Sequence, residues 1–212
     1  PRQGPLSETS ARSQGPGPIP PAYDRSKAAG EVAVREVVAR GLDAVVVHPA
    51  GVLGPFDYRP SRMGQVLLDL YHRRLPAMVP GGYNFVDVRD VVDGMLAAET
   101  RGRTGESYLL CNEWAEVRAL GKLAHAVTGV APPKLTVPFW LAHVGVPFMN
   151  AWAKLTNTHP LYTHESLDVL ESDSHADLTK SRTELGYAPR PLADTIRDTY
   201  AWFREAGMLG SA

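Results

Sequence analysis

The sequence holds a single cysteine, Cys111, among 212 residues. An internal disulfide is therefore excluded, as is any Cys-rich zinc site, and the usage fits a reducing, cytoplasmic setting. Neither charge is in excess: 22 Lys and Arg stand against 23 Asp and Glu, a formal net charge of -1. That balance gives no electrostatic reason to expect nucleic acid or an anionic membrane as a partner. No long apolar run is uninterrupted. Pro138 to Leu155 comes nearest, and it is broken by His143, Pro147, Asn150 and Lys154. A membrane span rarely carries so many polar groups, so membrane association is not expected and the stretch reads as two short helices packed over a pocket. There is no internal repeat. No charged-then-apolar leader opens the chain, and the first residue is Pro1 rather than Met. The expectation is that the amino terminus of a longer protein is missing.

What is present reads as an α/β protein, long enough for one domain or one and a half. Residues 1–22, rich in Pro, Gly, Ser and Gln, form a loop. A helix runs from Asp24 to Ala39 and stops at Gly41, a glycine suited to the position after a helix end. Leu42 to His48 carries an unbroken β-branched run, the mark of a strand buried on both faces in a parallel sheet. Further helices are expected over 61–74, 87–99, 117–128, 164–170, 181–187 and 191–206. Gly81-Gly82 is a turn, 84–86 a short extended piece, and 106–110 a second buried strand. Strands 42–48 and 106–110 should lie parallel in one sheet, with helices 24–39 and 87–99 packed on it.

Tyr23 and Lys27 lie four apart at the start of the first helix, and so share a face. An ammonium beside a phenol favours the phenolate, and such a phenol can exchange a proton with a substrate hydroxyl or carbonyl. An amphipathic surface helix that happens to carry both residues is the plain alternative. Pro49 to Pro55 leaves the first strand at its carboxyl end, where open α/β sheets bind ligands, and Gly51 and Gly54 let backbone come close. A simple turn fits that spacing equally well. His159, His164 and Asp168 have a spacing that raises a metal, but polar residues in a loop and helix start explain them, and no metal is expected. Cys111 reads as a small core residue, and Asp87 and Asp90 as carboxylates serving a helix start. Tyr58, Arg59, Arg62, Met63 and Tyr83 fall in loops or near a helix start beyond the ligand-side strand, and are the substrate-pocket candidates.

Taken in order, Tyr23-x-x-x-Lys27, Val45-Val46-Val47-x-Pro49-x-x-Val52-x-Gly54-Pro55 and Asn84-Phe85-Val86-Asp87-Val88-Arg89-Asp90-Val91 form a series of blocks. Glu184-Leu185-Gly186-Tyr187-x-Pro189-Arg190-Pro191-Leu192 and Thr199-Tyr200-x-Trp202-Phe203 complete it. The series resembles the second half of an extended short-chain dehydrogenase/reductase of the NAD-dependent epimerase/dehydratase family. Leu53-Gly54-Pro55-x-Asp57-Tyr58-x-Pro60-Ser61 is most similar to the dihydroflavonol reductase-like branch. The resemblance implies a partial Rossmann-like, doubly wound parallel sheet over about 23–55 and 85–130. It also implies a small carboxy-terminal substrate-binding region over about 56–84 and 131–190.

The resemblance further implies that Tyr23 is the general acid/base. Lys27 would assist it and hydrogen-bond the nicotinamide ribose. The backbone of Pro49, Ala50, Gly51 and Val52 would meet the carboxamide of NAD or NADP. The implied activity is an NAD(P)-dependent oxidoreductase on a carbonyl or alcohol. A sugar-nucleotide epimerase or dehydratase, and a non-catalytic binding remnant, are the alternatives. The expected partners are a small-molecule substrate and a second copy of the chain, paired through the helix at 24–39. Two parts of the pattern have no counterpart. No G-x-x-G-x-x-G occurs in residues 1–212. The catalytic serine is expected upstream of Pro1 rather than at Ser10 or Ser13, because Pro5 to Thr9 resembles the loop between that serine and the tyrosine.

Overall fold

The computed structural model describes residues 5–10, 22–156, 164–171 and 175–210. Most of the Pro/Gly-rich run at 1–22, with Ser13, and also His159 lie outside the described residues. Helix α1 (Ala22–Val38) leads to β1 (Val46–Pro49) and, after Ala50, to β2 (Gly51–Leu53). Then come α2 (Arg62–Tyr71), β3 (Gly82–Asp87), α3 (Val88–Arg101), β4 (Ser107–Leu110) and β5 (Trp114–Glu116). The carboxy-terminal part is helical: α4 (Val117–Thr128), α5 (Phe139–Thr156), α6 (His164–Glu171), α7 (Thr179–Leu185) and α8 (Leu192–Glu205).

The expected parallel pairing forms: β1 runs beside β4, with Val46 opposite Ser107 and Pro49 opposite Leu110. The extended run does not end there. After Ala50 it changes partner, and β2 pairs in parallel with β3, Gly51 opposite Phe85 and Leu53 opposite Asp87. Strand β5 joins β3 on the other side, antiparallel. Residues 46–53 thus serve two partners. The changeover falls next to Pro49, which has no N–H to give to a ladder.

Four sequence expectations need correction. Strand β1 begins at Val46 rather than Leu42, because its partner begins only after the turn at Gly105, whose N–H bonds Ala44. It is half-buried rather than buried on both faces, since among the described residues only β4 pairs with it, whereas all of β4 is buried. Residues 82–87 form a six-residue strand rather than a short extended piece after a two-glycine turn. Gly82 lies inside it because a Cβ there would meet the Trp114 ring at 2.5 Å, while Gly81 alone takes the left-handed turn at φ 87°. Finally, α5 is one helix through Pro147 rather than two. A proline removes one N–H from the ladder, and the bonds on either side can carry the helix past it.

Helix α1 is the fifth departure. It was expected to pack on the sheet, yet none of its residues is buried, and Val32 and Val37 are 56% and 44% exposed. Its attachment runs through Arg35, whose guanidinium bonds Ser107 Oγ at 3.0 Å and Glu31 at 2.9 Å. Helix α3 does pack on the sheet: Gly94 lets it close on Leu110 and Tyr187, and Val91 and Ala98 join Tyr108, Leu110 and Leu185 in one buried cluster. The larger core lies between α2, α4 and α8 and is built on Leu67, Phe85, Leu120, Ile196, Tyr200 and Phe203. Complete burial of each such side chain contributes roughly 1.5–3 kcal/mol. Tyr200 is admitted because its hydroxyl donates to the Leu67 carbonyl at 2.8 Å.

Candidate active site

Strand β3, the end of β4 and residues 49–52 meet around the changeover at Ala50. Helix α1 supplies Tyr23 and Lys27 from its first turns. The Lys27 ammonium stands 5.5 Å from the centroid of the Tyr23 ring, within cation–π reach. Tyr23 faces solvent, 69% exposed. Strand β3 supplies Tyr83, which sequence reading placed in a loop. Its ring lies over Gly51: a Cβ at position 51 would stand 2.6 Å from Tyr83 Cδ1. Burial raises the Tyr83 phenol above its ordinary value, and Tyr23, Cys111 and Asp24 act in the same direction. Tyr83 therefore stays a neutral phenol near pH 7. Pro49 is exposed, and Ala50, Gly51 and Val52 are half-buried.

The end of β4 closes the other side. Cys111 is a free, buried thiol that packs with Leu109, Leu178 and Ala50. Burial pushes it up to about 12, with Glu8 adding to the effect. A thiol held protonated in this way is no nucleophile. The loop at 5–10 is tied down here: Leu6 bridges Ala176, and Leu109 donates its N–H to Glu8 at 3.0 Å. Ser10 is occupied locally, its Oγ accepting from the Ser7 N–H at 2.9 Å.

The remaining pocket candidates stand elsewhere. Tyr58 is edge-on to Trp202 of α8, their centroids 5.2 Å apart. Met63 packs against the large core, and Arg59 and Arg62 are exposed at the start of α2. Asp87 caps α3 by accepting from the Arg89 N–H, and Asp90 bonds Arg190 at 2.8 Å.

A feature absent from the sequence reading is a polar cleft of ≈ 480 Å³ beyond the ends of β3 and β4, lined by Asn84, Asn112, Trp114, His175 and Arg182 among others. The Trp114 indole N–H lies buried beside it without a hydrogen-bond partner among the described residues. Asn84 opens the Asn84-Phe85-Val86-Asp87 block and was visible there. His175 and Arg182 are brought in from more than 60 residues away and left no local signal.

The sequence model of the NAD-dependent epimerase/dehydratase family matches residues 2–111, a little over half of the chain. The chain belongs to that family. Among curated relatives, sterol demethylase protein B of Methylococcus capsulatus is 36% identical over 190 residues, covering 88% of this chain and 58% of the relative. A candidate dihydroflavonol 4-reductase of Synechocystis is 33% identical over 199 residues, covering 89% and 56%. Among solved structures, a nucleoside-diphosphate-sugar epimerase of Pseudomonas aeruginosa superposes with a TM-score of 0.75 at 28% identity, covering 98% of this chain and 64% of that one. The chain thus spans a little over half the length of the curated relatives it matches.

Proposed function

We propose that these residues form the proton-transfer and substrate-facing part of an NAD(P)-dependent oxidoreductase that interconverts a carbonyl and an alcohol. On this reading the chain lacks the amino-terminal part that would cradle the dinucleotide phosphates. The residues present fit the nicotinamide end of such a cofactor: a solvent-facing phenol, an ammonium beside it, and the backbone of 49–52 at a strand end. No Gly-rich turn in the 212 residues fits the pyrophosphate end. When bound, NAD or NADP supplies the hydride chemistry. Tyr23 gives its phenolic proton to the substrate oxygen in reduction and takes one back in oxidation. Lys27 stabilises the phenolate left behind and would hold the ribose of the dinucleotide, and the Pro49–Val52 backbone would meet its carboxamide. The setting is the cytoplasm, where the Cys111 thiol stays reduced.

The observation that carries this reading is the Lys27 ammonium 5.5 Å from the centroid of the exposed Tyr23 ring. A sugar-nucleotide epimerase is the second reading, supported by the Pseudomonas aeruginosa neighbour. It asks for cations to meet a diphosphate, and Arg59, Arg62, Arg73 and Arg74, all exposed, are the candidates. Turnover in the full-length enzyme separates the two when fused-ring ketones are assayed beside nucleotide sugars. Sterol- and flavonol-type ketones come first because the two curated relatives carry those names. Tyr23→Phe removes only a hydroxyl, and kcat should fall by about a hundredfold to ten-thousandfold with cofactor affinity kept. Lys27→Ala should lower kcat and also raise the KM for the dinucleotide. Retention of more than about a tenth of kcat by Tyr23→Phe would remove the tyrosine from the chemistry and bring the non-catalytic binding module forward.

A further inference from the structure

One cluster of metal-ligating side chains takes no part in the chemistry above. It lies where α5 meets α6. His143 on α5 faces Asp168 and Glu171, three residues apart on α6, and ligand atoms of the three all lie within 4.8 Å of one another. We propose that His143, Asp168 and Glu171 form a binding site for a divalent transition-metal ion, zinc by preference, that clamps α5 to α6.

The argument turns on where the protons sit. His143 Nδ1 is 3.0 Å from His164 Nδ1, and the two rings are stacked with centroids 5.3 Å apart. Between neutral rings, one nitrogen of that pair donates and the other accepts. If His143 donates, its Nε2 turns a bare lone pair toward Asp168 Oδ1, acceptor against acceptor, with Glu171 beside them. If His143 accepts, its Nε2–H faces Asp168 across 3.7 Å, well outside the roughly 2.7–3.2 Å of an N–H···O bond. A cation between the groups resolves the first case, in which Nε2 offers a bare lone pair, and favours that tautomer over the second. With zinc–ligand bonds of about 2.0–2.2 Å, two ligands on one tetrahedral ion stand about 3.4 Å apart, close to the gap observed.

His164 then has a defined task. A ring that accepts from the Nδ1–H of His143 fixes the tautomer that leaves Nε2 free to ligate, as partners of metal-bound imidazoles do. The donor set also selects the metal class. Imidazole with carboxylate suits zinc and its first-row neighbours, whereas magnesium and calcium take oxygen ligands. Three protein ligands leave a tetrahedral ion one position for water. The cluster is open to solvent, with His143 and Asp168 side chains 27% and 31% exposed.

A clamp would matter here because, among the described residues, the apolar contact between the two helices is small. Their shared core is small, built on Val79, Val146 and Leu167. Helix α6 is eight residues long, shorter than the roughly 12–15 residues below which an isolated helix is marginal.

The test is calorimetric titration of the metal-free chain with zinc chloride, repeated by thermal melting with and without the ion. Zinc should bind and raise the melting temperature, as any ligand of the folded state does. Cobalt(II) should bind in its place and show the visible bands of a tetrahedral ion. Glu171→Gln and Asp168→Asn keep shape while removing charge, and each should weaken zinc by at least about tenfold. His164→Phe should weaken it by about tenfold to a hundredfold with the stoichiometry kept. Should His143→Ala fail to fold, the two carboxylate variants still give the answer. The proposal is overturned by zinc binding no tighter than roughly 100 µM, or by unchanged affinity and thermal shift in both carboxylate variants. Failure of the zinc shift, with the variants nonetheless altering the melting temperature, would assign the cluster to a protonated His143 paired with its carboxylates and overturn the metal.

Discussion

Asp87 shows how one residue ties the site to the fold. It ends β3 opposite Leu53, caps α3, and bonds Arg89, which in turn reaches Asp198 on α8 at 2.9 Å. Burial by itself raises the Asp87 carboxyl, but hydrogen bonds from the Arg89 side chain and backbone outweigh it and hold the group below the usual carboxylate range. The sign follows directly. A depressed carboxyl contributes stability in full above its unfolded value, roughly 4, and that contribution is lost as pH falls through the lower folded value. Asp87→Asn should therefore cost about 1–3 kcal/mol at neutral pH, read from urea midpoints. The gap between wild type and variant should close as pH is lowered toward about 3. A gap that stayed constant with pH would mean that the residue acts through shape, not charge. Gly51 makes a different point at the same scale. Its close approach, expected for a cofactor, is made within the chain by Tyr83, so glycine there serves packing first.

At the scale of elements, α1 stands apart. It carries Tyr23 and Lys27 at its first turns, yet buries no residue and leaves Val32, Val34 and Val37 to solvent. Val34 and Val37, one turn apart, leave apolar surface of the kind partner surfaces cover, and we propose a homodimer through this helix. Light scattering should find a dimer that Val37→Glu converts to monomer, since a carboxylate placed in an apolar contact is left uncompensated. A dimer that survived Val37→Glu would move the interface off α1. A wild-type monomer at high concentration would remove the homodimer altogether. Helix α8 is the contrasting case. It buries Leu192, Ile196, Tyr200 and Phe203 along one stripe, and its period of three to four was plain in the sequence because the helix meets the core over its whole length.

At the scale of the whole molecule, the absence of a Gly-rich turn has a measurable consequence. The 212-residue chain should bind NAD or NADP weakly or not at all, because backbone N–H groups at a helix start are what hold a pyrophosphate. Calorimetric titration showing micromolar affinity would contradict this and would mean that other residues grip the phosphates. Element types were legible for a physical reason: a β-branched run such as Val45-Val46-Val47 and a three-to-four period such as that of α3 are local properties of the chain. So too was the Tyr23–Lys27 pair, because helix geometry alone places positions four apart on one face. The changeover of strand partners at Ala50, the placing of Tyr83 over Gly51 and the strand at 114–116 were not legible. Neither was the meeting of His143 with Asp168 and Glu171, or of Asn84 with Trp114 and Arg182. Each joins residues from different elements, and such meetings depend on how elements stack, which no local spacing records. The sequence by itself determined the family blocks, the α/β class and the spacing that sets Tyr23 and Lys27 on one helix face. Tertiary structure alone decided the partners of each strand, the exposure of α1 and the convergence of ligands between α5 and α6, because those follow from packing across the whole chain.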